Sequence, residues 1–192
     1  MSEDLELHEL VRQTYSRIGE SPQAGAPFPT GRILAEALGY HTPLLDTLPT
    51  VSVEAFCGVA NLWAWVPLAD HHQVLDLGCG AGLDTILAAQ RSDKVWAVDF
   101  SQTMLKRNRQ AVAEAGLQHK VAHLRAEAQK LPLSDESVDI ALVNGLFNLN
   151  PFREQVFREL ARVLKPGGSV FAAEIVLQED ALTRTDSIDW FS

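Results

Sequence analysis

Val74-Leu-Asp-Leu-Gly-Cys-Gly-Ala-Gly-Leu-Asp84 joins a short apolar run to the first residues of a helical pattern. Gly78 and Gly80 let the backbone turn sharply and come close to a ligand. A dinucleotide-binding loop reads G-x-G-x-x-G/A, with a small last residue so that the helix can pack closely. Here that place is taken by Leu83, and the third glycine, Gly82, comes one position early. Asp76 would also face a pyrophosphate at close range, which is unfavourable. Such a loop suits a ligand carrying positive charge, and an NAD-dependent oxidoreductase is disfavoured.

Strands and helices alternate beyond the loop. Apolar runs predict strands at 73–77, 94–98, 121–125, 138–143 and 169–177. Helices are expected at 83–91, at 101–115 with Ser101 as N-cap and Gly116 as stop, and from Asn150 to Leu164 with Pro151 in first position. Five short strands separated by helices imply a doubly wound, Rossmann-like parallel sheet, with ligands beyond the carboxyl ends of the strands. Upstream, the 1–70 segment reads as an N-terminal helical cap on a 71–192 core. It has helices over 5–18 and 31–38, the latter stopped by Gly39, a Pro/Gly loop over 21–30, and an apolar aromatic stretch over 50–68.

Composition sets the outer bounds. The 192 residues include 16 Lys and Arg against 25 Asp and Glu, a net charge of −9. Mean hydropathy is −0.02, ordinary for a folded domain. So acidic a surface repels phosphate backbones, so no nucleic-acid partner is expected. Lys106, Arg107 and Arg109 read as a solvated helix face. No run approaches the roughly 20 apolar residues of a membrane span. With no leader-like N-terminus, Cys57 and Cys79 are expected as free thiols in a reducing, cytoplasmic setting.

Acidic residues recur at the expected strand ends. Asp99 follows Gly78 by 21 residues and can accept both hydroxyls of a ribose. Glu127, ahead of Leu131-Pro132, can accept from an adenine amine. Together they fit an adenosine bearing an amino-acid tail. Cys57 reads as a buried apolar residue, Trp63 and Trp65 as core packing, and His71-His72 as surface.

The set Val74–Asp84, Asp99, Glu127 with Leu131-Pro132, Ser137-Val-Asp-Ile140 and Arg162-Val-Leu-Lys-Pro-Gly-Gly168 resembles the class I S-adenosylmethionine-dependent methyltransferases over about 70–177. The resemblance implies S-adenosyl-L-methionine as cofactor, held by Asp76, Gly78, Cys79, Gly80, Gly82, Asp99, Phe100, Met104, Glu127, Ala128 and Asn144. It also implies in-line methyl transfer to a small-molecule acceptor. Ala37-Leu-Gly-Tyr40, Phe56-Cys-Gly-Val-Ala-Asn61 and Val143-Asn-Gly-Leu-Phe-Asn-Leu149 resemble the arsenite methyltransferase branch. That branch has a cysteine in its strand-four motif, where this chain has Gly145. One cap thiol does not build a multi-thiol metalloid site, so no metal site is expected. Tyr15, His41, Phe56, Asn61, Gly145 and Asn148 are the candidates for the acceptor pocket. No residue stands out as a general base. Members of the family continue past strand five, whereas this chain ends at Ser192. That suggests a shortened or non-catalytic cofactor-binding module as the alternative. It also leaves strand five as an apolar edge suited to pairing in a homodimer.

Overall fold

A computed structural model describes residues 3–22, 26 and 28–176. Strands β1 (Gln73–Leu77), β2 (Lys94–Asp99), β3 (Val121–Arg125), β4 (Val138–Asn144) and β5 (Leu164–Ala173) form one sheet in the order β3-β2-β1-β4-β5. Every pairing is parallel. The order reverses between β1 and β4, so the crevice opens beyond Leu77 and Asn144.

Helices α1 (Glu3–Glu20), α2 (Gly31–Ala37), α3 (Thr42–Leu45) and α4 (Thr50–Val53) precede the sheet. Helices α5 (Leu83–Ala89) and α6 (Gln102–Glu114) follow β1 and β2, and α7 (Arg153–Val163) follows β4. The central strand β1 is buried on both faces. Val74 joins the cluster containing Ile86, Leu105 and the upstream residues Tyr40, Leu45 and Leu62. Leu75 and Leu77 join Val156, Leu160 and Val163 of α7. The upstream helices therefore share the core of one sheet face.

Ser101 caps α6, its hydroxyl accepting from the Met104 N–H at 3.3 Å. Ser101→Ala is expected to cost about 1 kcal/mol, the usual value of such a cap. In a chain of this size that lowers the thermal midpoint by roughly 2–4 °C.

Two boundaries differ from the sequence reading by three residues or more. Helix α7 starts at Arg153, not at Asn150-Pro151, because 147–149 form a 3-10 turn and the Asn150 side chain accepts from the Phe152 N–H at 2.8 Å. Strand β5 starts at Leu164, not Ser169. The Lys165 ammonium binds the Asp139 carboxylate at 2.9 Å, and the Pro166-Gly167-Gly168 stretch is absorbed as a register shift beside β4. The expected end of that strand at Leu177 lies outside the described residues, as does part of the 21–30 loop. Among the described residues β5 is an edge, with Val170 exposed. Trp65 is 66% exposed, so it is not core packing. Arg107 is not simply solvated either, since it donates to the Gly19 carbonyl and the Glu54 carboxylate.

Candidate functional site

The loop after β1 is built on left-handed glycines, Gly78 (φ 76°), Gly80 (φ 49°) and Gly82 (φ 97°). The N–H groups of Gly78 and Cys79 donate to the Val98 carbonyl at 2.9 and 3.0 Å, which ties the loop to β2. A Cβ on Gly82 would stand 2.7 Å from Asn108 Cγ. One on Gly80 would meet nothing within 4 Å, because Gly80 faces open space in the cleft.

Two carboxylates close the strand ends beside this loop. Asp99 Oδ2 accepts from the Gly80 N–H at 2.9 Å, and Oδ1 accepts from the Ser101 N–H at 2.7 Å. Burial pushes Asp99 up to about 6, against the pull of those backbone donors. Each oxygen keeps a further lone pair for a hydroxyl. Asp76 Oδ2 accepts from the Thr85 hydroxyl at 2.5 Å. Burial, then the charge of Asp84, pushes Asp76 up to about 8 despite that bond.

At the other end, Glu127 is held by two residues of α1. His8 Nε2 lies 3.1 Å from Oε2, and the Arg12 guanidinium donates to Oε1. The His8 ring also packs edge-on against Phe152, with centroids 5.8 Å apart. Helical spacing sets His8, Val11 and Tyr15 on the face of α1 that roofs the cleft.

Asn144, at the end of β4, is a strut. Its Oδ1 accepts from the Val59 and Ala60 N–H groups at 2.8 and 3.1 Å. Its Nδ2 donates to the Ala60 carbonyl and to Asp84 Oδ2, both at 2.9 Å. Asp84 accepts further from the Tyr40 hydroxyl at 2.7 Å and the Trp63 indole at 2.8 Å. Burial raises its pKa while those donors oppose the shift. Both residues line the cleft, with their polar atoms turned into this network.

The eleven residues expected to bind a cofactor, Asp76, Gly78, Cys79, Gly80, Gly82, Asp99, Phe100, Met104, Glu127, Ala128 and Asn144, all border this one cleft. Of the acceptor-pocket candidates, Tyr15, Phe56 and Gly145 border it as well. The other three lie elsewhere. His41 is exposed at the start of α3. Asn61 caps a 3-10 turn and donates to the Gly39 carbonyl. Asn148 donates to the Ile175 carbonyl at 2.5 Å.

Sequence reasoning missed His8, Asp84 and the cleft position of Cys57. The Cys57 thiol donates to the Ala55 carbonyl at 3.3 Å, and burial pushes it up to about 12. The heptad-like spacing of 8, 11 and 15 was the one available signal for α1. Nothing local marks Asp84 as a hub.

The lining thus gathers Asp76, Asp84, Asp99 and Glu127, and among the described residues no Lys or Arg borders it. A glycine loop in this setting can approach a ligand through backbone and carboxylates. The Arg12 guanidinium beside the cleft is taken up by Glu127.

Residues 74–168 match a family model described as a methyltransferase domain. The chain is 36% identical over 147 residues to the arsenite methyltransferase of Halobacterium salinarum, which covers 74% of this chain and 37% of that protein. It is 42% identical over 101 residues to the demethylmenaquinone methyltransferase of Listeria monocytogenes, covering 50% and 42% of the two chains. The crystal structure of the YcgJ protein of Bacillus subtilis superposes with a TM-score of 0.57 at 27% identity, over 60% of this chain and 49% of that one. The chain spans less than half the length of these curated relatives.

Proposed function

Because the chain belongs to the class I S-adenosylmethionine-dependent methyltransferases, we propose that it transfers a methyl group from S-adenosylmethionine to a small-molecule acceptor. The observation that carries this reading is the charge of the cleft. Asp76, Asp84 and Asp99 stand beside the glycine loop, Glu127 lines the far end, and among the described residues no Lys or Arg is part of the lining. Once ionised, that set of acceptors repels a pyrophosphate and attracts a cation. Gly80 leaves open the space that a Cβ would fill, so the backbone can approach the ligand.

When bound, the cofactor supplies a methyl group already activated on a sulfonium. The chain's own residues bind and orient it. Asp76 meets the ammonium of the amino-acid end, Asp99 accepts from the ribose hydroxyls, and Glu127 with Ala128 borders the adenine. Tyr15, Phe56, Cys57, Leu146 and Leu149 supply apolar walls that hold an acceptor in line and exclude water. The polar atoms of Asp84 and Asn144 are spent on each other and on the cap.

Calorimetry with S-adenosylhomocysteine tests this reading, and absence of binding by the wild type would sink it. Asp99→Ala is expected to weaken that binding by about tenfold or more, the lower end of the ~1.5–3 kcal/mol for a hydrogen bond to a charged group.

A second reading takes arsenite as the acceptor. It is favoured by the presence of both Cys57 and Cys79 at the cleft and by the similarity to the Halobacterium enzyme. Burial holds both thiols well above neutral pKa values, however, and a soft metalloid binds the thiolate. Arsenite-dependent methyl transfer that is lost in Cys57→Ser would establish this second reading.

A further inference from the structure

Thr85 and Asn108 are each 0% exposed, and neither borders the cleft. An asparagine in the middle of α6 is a poor helix former, and in an apolar layer it is costly unless every polar atom is used. Here every one is used. His123 Nε2 lies 2.9 Å from Asn108 Oδ1. Asn108 Nδ2 lies 2.9 Å from Thr85 Oγ1 and 3.4 Å from the Gly80 carbonyl. Thr85 Oγ1 lies 2.5 Å from Asp76 Oδ2.

The donors and acceptors allow one direction of flow. The Gly80 carbonyl can only accept, which fixes the amide nitrogen of Asn108 toward the loop and toward Thr85. Asn108 Oδ1 then accepts from His123, which burial lowers to about 4, so the ring is neutral and donates from Nε2. Thr85 receives the amide N–H and has a single hydrogen left, which points at Asp76. His123, Asn108 and Thr85 thus form a chain whose last donor ends on the cleft carboxylate. The same Asn108 side chain abuts Gly82, so it also props the glycine loop.

We propose that Thr85 and Asn108 are positioning residues that aim the Asp76 carboxylate at the cationic amino-acid end of the cofactor and favour its ionised form. The inference rests on the methyltransferase reading above. It assigns a role to two residues that touch neither cofactor nor acceptor.

The test compares two ligands on the full chain. S-adenosylhomocysteine carries the ammonium, whereas methylthioadenosine has the same adenosine without the amino-acid tail. Thr85→Val keeps the side-chain volume and removes the last donor. It is expected to weaken S-adenosylhomocysteine by about tenfold, the scale of one charge-assisted hydrogen bond, and methylthioadenosine by less than about twofold. Thr85→Ser, which restores the hydroxyl, is expected to return most of the lost affinity. Asn108→Ala should show the same selective loss, and it answers the question if Thr85→Val fails to fold. Equal losses for the two ligands would mean a merely structural role and would overturn the proposal. Unchanged S-adenosylhomocysteine binding in both variants would overturn it too. If the wild type binds methylthioadenosine but gains nothing from the tail, the aim of Asp76 is wrong while the adenosine site stands. If it binds neither ligand, the cofactor reading itself fails.

Discussion

Asp84→Ala is expected to destabilise the protein by about 3 kcal/mol, more than any other single substitution considered for this site. Three donors converge on that carboxylate from separate parts of the chain: the Tyr40 hydroxyl, the Trp63 indole and the Asn144 amide. Without it, Tyr40 retains a long 3.3 Å bond to the Ala60 carbonyl, and Asn144 retains its 2.9 Å bond to the same carbonyl. The Trp63 indole N–H has no other bond among the described residues. A donor left unsatisfied at such a half-buried residue costs toward the lower end of about 1–3 kcal/mol, and the weakened Tyr40 and Asn144 bonds and the small void add to it. Relief of the desolvation that raises the Asp84 pKa works the other way and keeps the total near 3. In a chain of this size the thermal midpoint should fall by roughly 6–12 °C. Asp84→Asn keeps one acceptor but sets an amide donor against existing donors, so it should fall between the wild type and Asp84→Ala. Thermal melts followed by circular dichroism measure both. A midpoint for Asp84→Ala within about 2 °C of wild type, about a third or less of the fall expected at this length, would show that the hub is dispensable.

That hub marks the limit of what the sequence could reveal. Elements with local causes were legible. The β3 run at 121–125 reads directly, Ser101 is recognisable as a cap because its partner is three residues away, and the glycines of 78–82 announce a turn. Asp76, Asp99 and Glu127 were legible as a set because parallel strands bring consecutive strand ends to one edge. The cap was harder. Tyr40 meets Asp84 across 44 residues, Asn144 meets Val59 across 85, and His8 meets Glu127 across 119. No periodicity encodes such contacts, because they depend on how α1 and the 56–63 segment lie over the sheet. His41 and Asn61 are polar residues of the cap, and neither borders the cleft. Asn108 was hidden for a related reason. A polar residue within a helical pattern reads as solvent-facing, and only β3 and the glycine loop together reveal that this one is enclosed.

The affinity for S-adenosylhomocysteine is expected to rise about tenfold per pH unit between pH 6 and 8, and to level off above that range. The cause is Asp76. In the free protein, burial and the neighbouring Asp84 and Asp99 charges push it up to about 8, so at pH 7 most molecules carry a proton there. A ligand ammonium set against this group favours the ionised form and lowers its pKa, so binding expels the proton. The sign follows from mass action: release of a proton on binding makes affinity increase with pH until Asp76 is already ionised in the free state. Across two pH units the effect approaches a hundredfold, about 2.7 kcal/mol. The unliganded protein should respond in the opposite sense. Its Asp76 and Asp99 hold protons at pH values where the unfolded chain, with carboxylates near 3.8, has released them. Folding stability contributed by these two groups is therefore greatest below about pH 4 and declines as pH rises toward 8. Saturating ligand should offset that decline, so the thermal shift on binding grows with pH. Calorimetry at pH 7 in buffers of different ionisation enthalpy counts the released proton directly, with a value near one expected. No proton release, together with an affinity that is flat from pH 6 to 8, would mean that Asp76 is ionised before the ligand arrives. In that case its burial is already offset in the free protein, and an ionised Asp76 meets the ligand ammonium without releasing a proton.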